Sequence, residues 1–301
     1  MFKKVVVGCD GRVGGRDAIA LARQLLAADG EITLVRVYPG PHSRAFAPGI
    51  VEEERKHATE GLEKDRADSG VEAKLLVRQG LSAGRVLHEV AEEQGADLLV
   101  LGSTHRGAFG RALLGDDTRE SLNGAPCAVA VAPGGYSERK DAFATIGVGY
   151  DGSQESHAAL DLARELARAA GAKIRALQIL HFPTYIYTGL IPPVGDGIDE
   201  LVKDADAEIK KLEGVEGHAE YGLPGEDLAT FSRDVDLMIV GSRSYGPLGR
   251  LIHGSTSNYL QRHARGPLLV LPRAALDDAD GTAAGAAGAE SSVVASGEGS
   301  S

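Results

Sequence analysis

The sequence predicts an α/β protein with two tandem domains, each built on a parallel, doubly wound sheet with helices on both faces. Three observations lead to this prediction. The chain of 301 residues is long enough for about two domains. Segments of its first half recur in its second half. Within each half, short apolar runs alternate with amphipathic helical segments, which is the pattern of strands joined by crossover helices.

The repeat is visible in segments that recur in the same order. Val5–Gly11 recurs as Ile146–Gly152, Asp97–Ser103 as Asp236–Ser242, and Ala128–Pro133 as Pro267–Pro272. The offset is 141 residues between Asp10 and Asp151 and 139 residues between Gly102 and Gly241. Matches at a nearly constant offset indicate tandem duplication, and a period the size of a domain excludes a solenoid.

The first strand and first helix of each half follow from local patterns. Val5–Val7 and 145–148 are short β-branched runs typical of buried strands. Apolar residues then recur at helical spacing: Ala18, Leu21, Ala22, Leu25 and Leu26 in the first half, and Ala159, Leu160, Ala163, Leu166 and Ala167 in the second. Ser153 is a candidate N-cap, and Gly30 and Gly171 are candidate helix ends.

The remaining elements of each half continue the alternation. The predicted pairs are second strands at 32–37 and 174–180, polar helices at 50–69 and 196–213, third strands at 73–77 and 218–221, fourth strands at 98–101 and 237–240, and last strands at 129–132 and 268–271. In such a sheet, a ligand is expected beyond the carboxyl ends of the strands, where strand order reverses.

These elements predict domain 1 over residues 1–135, a linker over 136–141 and domain 2 over 142–273. Residues 274–301 are dominated by Ala, Gly, Ser and Asp. Such a segment cannot bury enough apolar surface to offset its chain entropy, so we expect a disordered tail.

Composition excludes several classes of protein. The formal net charge of −11 argues against a nucleic-acid binder, which needs a basic surface. Two cysteines exclude a disulfide framework and a four-cysteine zinc site. No apolar stretch reaches the roughly 18 residues of a membrane span, and no signal peptide is evident, so we expect a cytoplasmic protein.

The segment between the fourth strand and the last helix contains the candidate ligand-binding residues. In domain 2, Gly241 ends the strand, and Gly254, Ser255 and Thr256 open the helix. A helix N-terminus offers free N–H groups and a positive dipole end, which suit phosphate oxygens, and the two hydroxyls add donors. The alternative is that the glycines serve only tight packing.

These motifs resemble the nucleotide signature of the universal stress protein family, which is Gly, two residues, Gly, nine residues, Gly and then Ser or Thr. The first strand of that family ends in Asp-Gly-Ser, as at Asp151-Gly152-Ser153. The resemblance covers residues 1–133 and 142–273. It implies a five-stranded, Rossmann-like, adenine-nucleotide-binding α/β domain, ATP with Mg as cofactor, and pairing of the last strands of two domains.

The resemblance assigns roles to residues of domain 2. Asp151 matches the acid beside the nucleotide and its metal, and Ile179 matches the position whose backbone meets adenine. Gly241, Gly254 and Ser255 match signature positions. Ser244 stands where the second signature glycine is expected, which is a departure. Arg243 and Thr256 complete the predicted nucleotide-binding set, although an exposed arginine can also be solvated surface.

Domain 1 departs further from the signature. Its counterparts are Asp10, Val37, Gly102 and Gly115, but His105 replaces the second glycine. Asp116 and Asp117 stand at the helix start. A carboxylate about 4 Å from a phosphate charge costs about 4 kcal/mol at an effective dielectric of 20. We therefore expect domain 1 to bind ATP poorly or not at all; a divalent metal on the two acids is an open alternative.

Three functional hypotheses remain. The first is a nucleotide-binding stress or signalling module that binds ATP chiefly in domain 2. The second is an enzyme that uses adenine nucleotides, by slow ATP hydrolysis or adenylyl transfer; because no general base or nucleophile stands out, no catalytic residue is assigned. The third is a ligand-free, pseudo-dimeric scaffold. The expected partners are adenine nucleotide and the other domain of the same chain, with a homodimer left open.

Overall fold

The computed structural model describes residues 1–39, 48–103, 105–106, 112–113, 124–139, 141–181, 195–242 and 255–272. Domain 1 contains β1 (Phe2–Gly8), α1 (Val13–Leu25), β2 (Leu26–Tyr38), α2 (Pro48–Ser69), β3 (Lys74–Gln79), α3 (Ala83–Gln94), β4 (Leu98–Gly102), the short strands β5 (His105–Arg106) and β6 (Ala112–Leu113), and β7 (Ala128–Ala132). A 3₁₀ turn at Tyr136–Glu138 follows. Domain 2 contains β8 (Thr145–Gly149), α4 (Gln154–Ala170), β9 (Lys173–Leu180), α5 (Gly195–Ile209), β10 (Glu216–Tyr221), α6 (Pro224–Phe231), β11 (Leu237–Gly241), α7 (Ser255–His263) and β12 (Leu268–Leu271).

Ten strands form one sheet in the order β10-β9-β8-β11-β12-β7-β4-β1-β2-β3. Within each domain all neighbouring strands of this sheet are parallel. At the centre, β12 and β7 pair antiparallel, with Leu269 opposite Ala130. Each domain therefore has the predicted parallel α/β sheet of five strands, and the last strands pair in the way that the resemblance implies.

Helices cover both faces of the sheet, as predicted. On one face, side chains of α1, α2, α4 and α5 form a buried apolar cluster that includes residues of both domains. On the other face, α3, α6 and α7 pack against a second buried cluster. Strands β1, β4, β8 and β11 are buried on both faces, which explains their continuous apolar runs.

The helix ends confirm two of the three predicted signals. Ser153 caps α4 by accepting a hydrogen bond from the backbone N–H of Ser156, and Gly171 ends that helix with φ 69°. The prediction for Gly30 is wrong, because α1 ends at Leu25 and Leu26 is already extended. Residues 26–30 instead belong to β2, whose register with β1 shifts there, and Gly30 is not left-handed.

The segment after β7 is held to domain 1 by a buried carboxylate. Asp17 of α1 is fully buried and accepts hydrogen bonds from Gly135 N at 2.9 Å, Ser137 N at 2.8 Å and Ser137 Oγ at 2.7 Å. Tyr136, between them, is also buried. The start of the predicted linker is thus part of the packed structure. The predicted tail lies outside the described residues.

Candidate functional site

A cavity of 660 Å³ lies in domain 2 at the carboxyl ends of the strands, where the fold predicts a ligand site. Its volume is in the range of small-molecule sites. Twelve described residues line it: Asp151, Gln178, Ile179, Leu180, His181, Leu223, Pro224, Gly225, Glu226, Ser255, Thr256 and Tyr259. Four of the predicted site residues, from three segments distant in sequence, are among them: Asp151, Ile179, Ser255 and Thr256.

Asp151 is positioned by the turn between β8 and α4. Its Oδ1 accepts a hydrogen bond from Ser153 N at 3.0 Å, and Gly152 between them has φ 75°, a left-handed conformation that favours glycine. The carboxylate is exposed at the cavity rather than buried in the core. The Asp-Gly-Ser sequence therefore places an exposed carboxylate at the end of the first strand of domain 2.

Ile179 and its neighbours form the wall at the end of β9. Ile179 is partly buried and packs against the apolar cluster beneath α6 and α7. Beyond it, Leu180 O accepts a hydrogen bond from Gly222 N at 3.0 Å, and His181 Nδ1 lies 3.2 Å from Gly222 O. These contacts join the ends of β9 and β10. The side chains of Ile179 and Leu180 give the cavity an apolar side.

Ser255 and Thr256 lie in the first turn of α7 and line the cavity. Their helix begins at Ser255, as the sequence predicts, and its first turn contains no acidic residue. The last turn carries Arg262 and His263, which complement the negative end of the helix dipole. The N-terminus of α7 is therefore free of an internal carboxylate that would compete with an anionic ligand.

The loop between β10 and α6 supplies lining residues that the sequence analysis did not identify. Leu223 N donates a 2.7 Å hydrogen bond to Asp227 Oδ2, and Pro224 begins the helix. Gly225 packs against the ring of Tyr259, which stacks on His263 at 3.9 Å between ring centroids. The signal for this wall was the Pro that opens a helix directly after a predicted strand.

The structure gives Gly241 a packing role at the strand end. A Cβ on Gly241 would lie 2.5 Å from Glu155 Cβ and 2.7 Å from Glu155 O in the first turn of α4. Gly241 is not among the residues that line the cavity. The packing alternative therefore has a physical basis at this position. Arg243, Ser244 and Gly254 lie outside the described residues.

The described lining of the cavity is not basic. It contains the carboxylates of Asp151 and Glu226 and the imidazole of His181, with no lysine or arginine among the described lining residues. Within the described part of the chain, no group of three His, Cys, Asp or Glu residues is arranged to hold a metal ion. A divalent ion in this cavity would thus need ligands from a bound molecule in addition to Asp151.

Domain 1 repeats part of this geometry. Asp10 Oδ1 accepts a 2.9 Å hydrogen bond from Arg12 N, and Gly11 has φ 75°, so the turn after β1 matches that after β8. Val37 is partly buried beside α3. Gly102 leaves no space for a Cβ against the backbone of Gly14 in α1. His105 lies in β5, and Gly115, Asp116 and Asp117 fall outside the described residues.

No helix within the described residues combines the length and the apolar character that a membrane crossing needs.

Comparison with known proteins identifies the family. The model of the universal stress protein family matches residues 1–133 and again residues 142–272. A universal stress protein of Mycolicibacterium smegmatis is 27% identical over 290 residues, covering 89% of this chain and 96% of the relative. One from Mycobacterium tuberculosis is 28% identical over 290 residues, covering 88% and 96%.

The fold comparison agrees with the sequence comparison. The crystal structure of a universal stress protein from Archaeoglobus fulgidus superposes with a TM-score of 0.65 at 17% identity, covering 90% of this chain and 98% of that one. Both halves carry the same α/β fold, and the family model matches each of them in turn. The chain belongs to the universal stress protein family and carries two copies of the family's domain in tandem.

Proposed function

We propose that this protein binds ATP, with Mg²⁺, in the domain 2 cavity and acts in stress response or signalling in the cytoplasm rather than in fast catalysis. One observation carries the proposal: Asp151, Ile179 and Ser255-Thr256, which are far apart in sequence, line a single cavity at the strand carboxyl ends. We further propose that the domains extend over 1–135 and 142–273, joined by residues 136–141.

The chemistry of the cavity supports a nucleotide. Its apolar wall at Ile179 and Leu223 suits a base, and the N-terminus of α7 with two hydroxyls suits phosphate oxygens. We assign Gly254 to the approach of the phosphates, and Gly241 to that role or to packing alone. Arg243 and Ser244 belong to the proposed set on the family motif.

The donor set also fits magnesium held through the nucleotide. Asp151 offers an exposed carboxylate, a hard oxygen ligand, while phosphates supply the remaining charge. A bound Mg²⁺ would offset the repulsion between the triphosphate and the acids Asp151 and Glu226. In domain 1, Asp116 and Asp117 would repel the phosphates, so we propose that domain 1 binds ATP poorly.

The direct test is to denature the purified protein and analyse the released small molecules by chromatography, followed by calorimetric titration of the emptied protein with ATP and Mg²⁺. One ATP bound per chain is the expected result. Absence of both co-purified nucleotide and titratable binding would favour the ligand-free scaffold. Turnover of labelled ATP at enzymatic rates would favour the nucleotide-using enzyme.

A matched pair of substitutions tests the location of the site. We expect Gly254→Asp to abolish measurable ATP binding, because one like charge near 4 Å costs about 4 kcal/mol, or about a thousandfold in affinity. Gly115→Asp, at the equivalent position of domain 1, should leave ATP binding nearly unchanged. Titration calorimetry measures both, and equal losses would contradict a site confined to domain 2.

A further inference from the structure

The turn after β1 in domain 1 is covered by an arginine from the neighbouring strand. Arg36, near the end of β2, is partly buried. A Cβ on Gly11 would lie 2.5 Å from Arg36 Nη1 and 2.6 Å from Nη2. The guanidinium therefore lies directly against the backbone of Gly11, beside the strand-end acid Asp10.

A second glycine also makes room for the same guanidinium. Gly61 lies in the middle of α2, and a Cβ there would overlap Nη1 of Arg36. Glycine in a helix interior costs roughly 1 kcal/mol relative to alanine, so this position has a reason other than helix formation. Two glycines from different elements, Gly11 and Gly61, thus enclose one side chain.

Two acidic residues, Asp10 beside Gly11 and Asp65 of α2, lie near the enclosed guanidinium. Asp65, one turn along α2 from Gly61, is buried, and its Oδ2 has no hydrogen-bond partner among the described residues. Burial raises the pKa of Asp65, and the positive charges of Arg36 and Arg16 partly oppose that rise. An ionised Asp65 and the positive charge of Arg36 attract each other, which favours the guanidinium in this position.

At the equivalent place in domain 2, the described residues leave an open space. Gln178 stands one residue before Ile179, as Arg36 stands one residue before Val37, and Gln178 lines the cavity. Among the described residues, nothing lies within 4 Å of a Cβ built on Gly152, the counterpart of Gly11. Helix α5 contains no glycine after Gly197, so it offers no counterpart of the space at Gly61.

We infer that Arg36 closes the domain 1 site to nucleosides by filling, with its own guanidinium, the place beside Asp10 that is open beside Asp151 in domain 2. The residue before the adenine-contact position is then a determinant of which domain binds nucleotide: glutamine leaves the site open, and arginine fills it. This inference rests on the proposed ATP site of domain 2, and it acts separately from the phosphate repulsion at Asp116.

Reciprocal substitutions in the full chain test the inference. Gln178→Arg should weaken ATP binding by at least about tenfold, because the guanidinium occupies the cavity and pairs with Asp151. Gln178→Met, which is similar in length and uncharged, is the comparison variant and should lose several-fold less affinity for ATP than Gln178→Arg. Arg36→Gln should raise the stoichiometry of adenosine, which has no phosphate for Asp116 to repel, from one to two per chain.

The outcomes separate this inference from the proposed function. Wild-type protein that binds neither ATP nor adenosine would overturn the proposed function, and the inference with it. If wild type binds ATP, equal losses in Gln178→Arg and Gln178→Met, or unchanged or tighter binding by Gln178→Arg, overturn the inference alone. Adenosine stoichiometry that stays at one in Arg36→Gln also overturns it. Thermal unfolding identifies a variant that fails to fold. If Gln178→Arg or Arg36→Gln is such a variant, the binding result of the other one tests the inference.

Discussion

At the scale of single residues, both cysteines are buried in the apolar core. Cys9 follows β1 beside Asp10, and Cys127 precedes β7. Burial raises the pKa of Cys127 to about 12 and raises that of Cys9 still further, with nearby carboxylates acting in the same direction. Because only the thiolate is nucleophilic, both side chains stay neutral and unreactive at physiological pH.

Thiol labelling of the native protein checks this conclusion. At pH 8 both cysteines should react with Ellman's reagent at least about a hundredfold more slowly than free cysteine, since pH 8 lies below both raised pKa values. In denaturant, two thiols per chain should react at once. A fast-reacting thiol in the native protein would show that at least one of the two cysteines is accessible.

At the scale of elements, the joint between β4 and α1 depends on close backbone approach. Gly102 ends β4, and a Cβ there would overlap the carbonyl of Gly14 in the first turn of α1. The equivalent pair in domain 2 is Gly241 with Glu155. In both halves, a glycine at the strand end therefore allows the first helix to pack closely against the sheet. The repeated glycines of the sequence therefore have a packing cause that acts with or without a ligand.

We expect Gly102→Ala to lower the free energy of unfolding by about 1–3 kcal/mol, because the added methyl group must push α1 away from the sheet. Gly49→Ala is the control, since a Cβ there meets none of the described residues within 4 Å and its helix favours alanine. Urea unfolding followed by circular dichroism measures both. Equal stability of Gly102→Ala and wild type would argue against the close approach.

The contact between Asp17 and the segment after β7 also belongs to this scale. Asp17→Ala would leave Gly135 N and Ser137 N without their acceptor in a partly buried place. We expect a loss of about 2–3 kcal/mol in the free energy of unfolding. Asp161→Ala, which removes only an exposed ion pair on α4, should change stability little. Similar small effects of both would show that the Asp17 contact contributes nothing.

At the scale of the whole molecule, the two domains share one sheet, and each of the two apolar clusters contains residues of both domains. The antiparallel pair β7–β12 lies at the centre, and Tyr136 and Phe143, which flank the connection, are buried in the cluster that also contains side chains of α1 and α4. The amino group of Met1 forms an ion pair with the carboxylate of Glu165 in α4, and Arg139 Nη2 lies 3.6 Å from Asp236 Oδ1. Because of these contacts, each folded domain stabilises the other.

We expect the chain to unfold in one cooperative transition for this reason. Ala130 of β7 lies opposite Leu269 in the central antiparallel pair and is fully buried. Ala130→Asp should lower the free energy of unfolding by about 3–5 kcal/mol, because it buries an unpaired charge. Ala67→Asp, on the exposed face of α2, is the control. Hydrogen exchange in urea should show both domains losing protection at the same midpoint, whereas two separate midpoints would contradict a shared unit.

Local patterns predicted much of this architecture because they report local physics. Apolar runs such as Val5–Val7 identified the buried strands, and Ser153 and Gly171 marked the ends of α4. Gly30 failed as a helix stop because the pairing of Phe2 with Leu26, a contact distant in sequence, draws residues 26–30 into β2. Local spacing carries no information about such a contact.

The sequence by itself determined the duplication, the parallel α/β class and the segments that carry the candidate site, because periodicity, capping and motif spacing are local properties of the chain. Only the tertiary structure decided which side chains share a space. It brought Asp151, Ile179 and Ser255 to one cavity, added Pro224 and Tyr259 to its wall, and placed Arg36 between Gly11 and Gly61. Parallel strands bring their carboxyl ends to one edge only after the crossover helices are packed, and that packing depends on the whole chain.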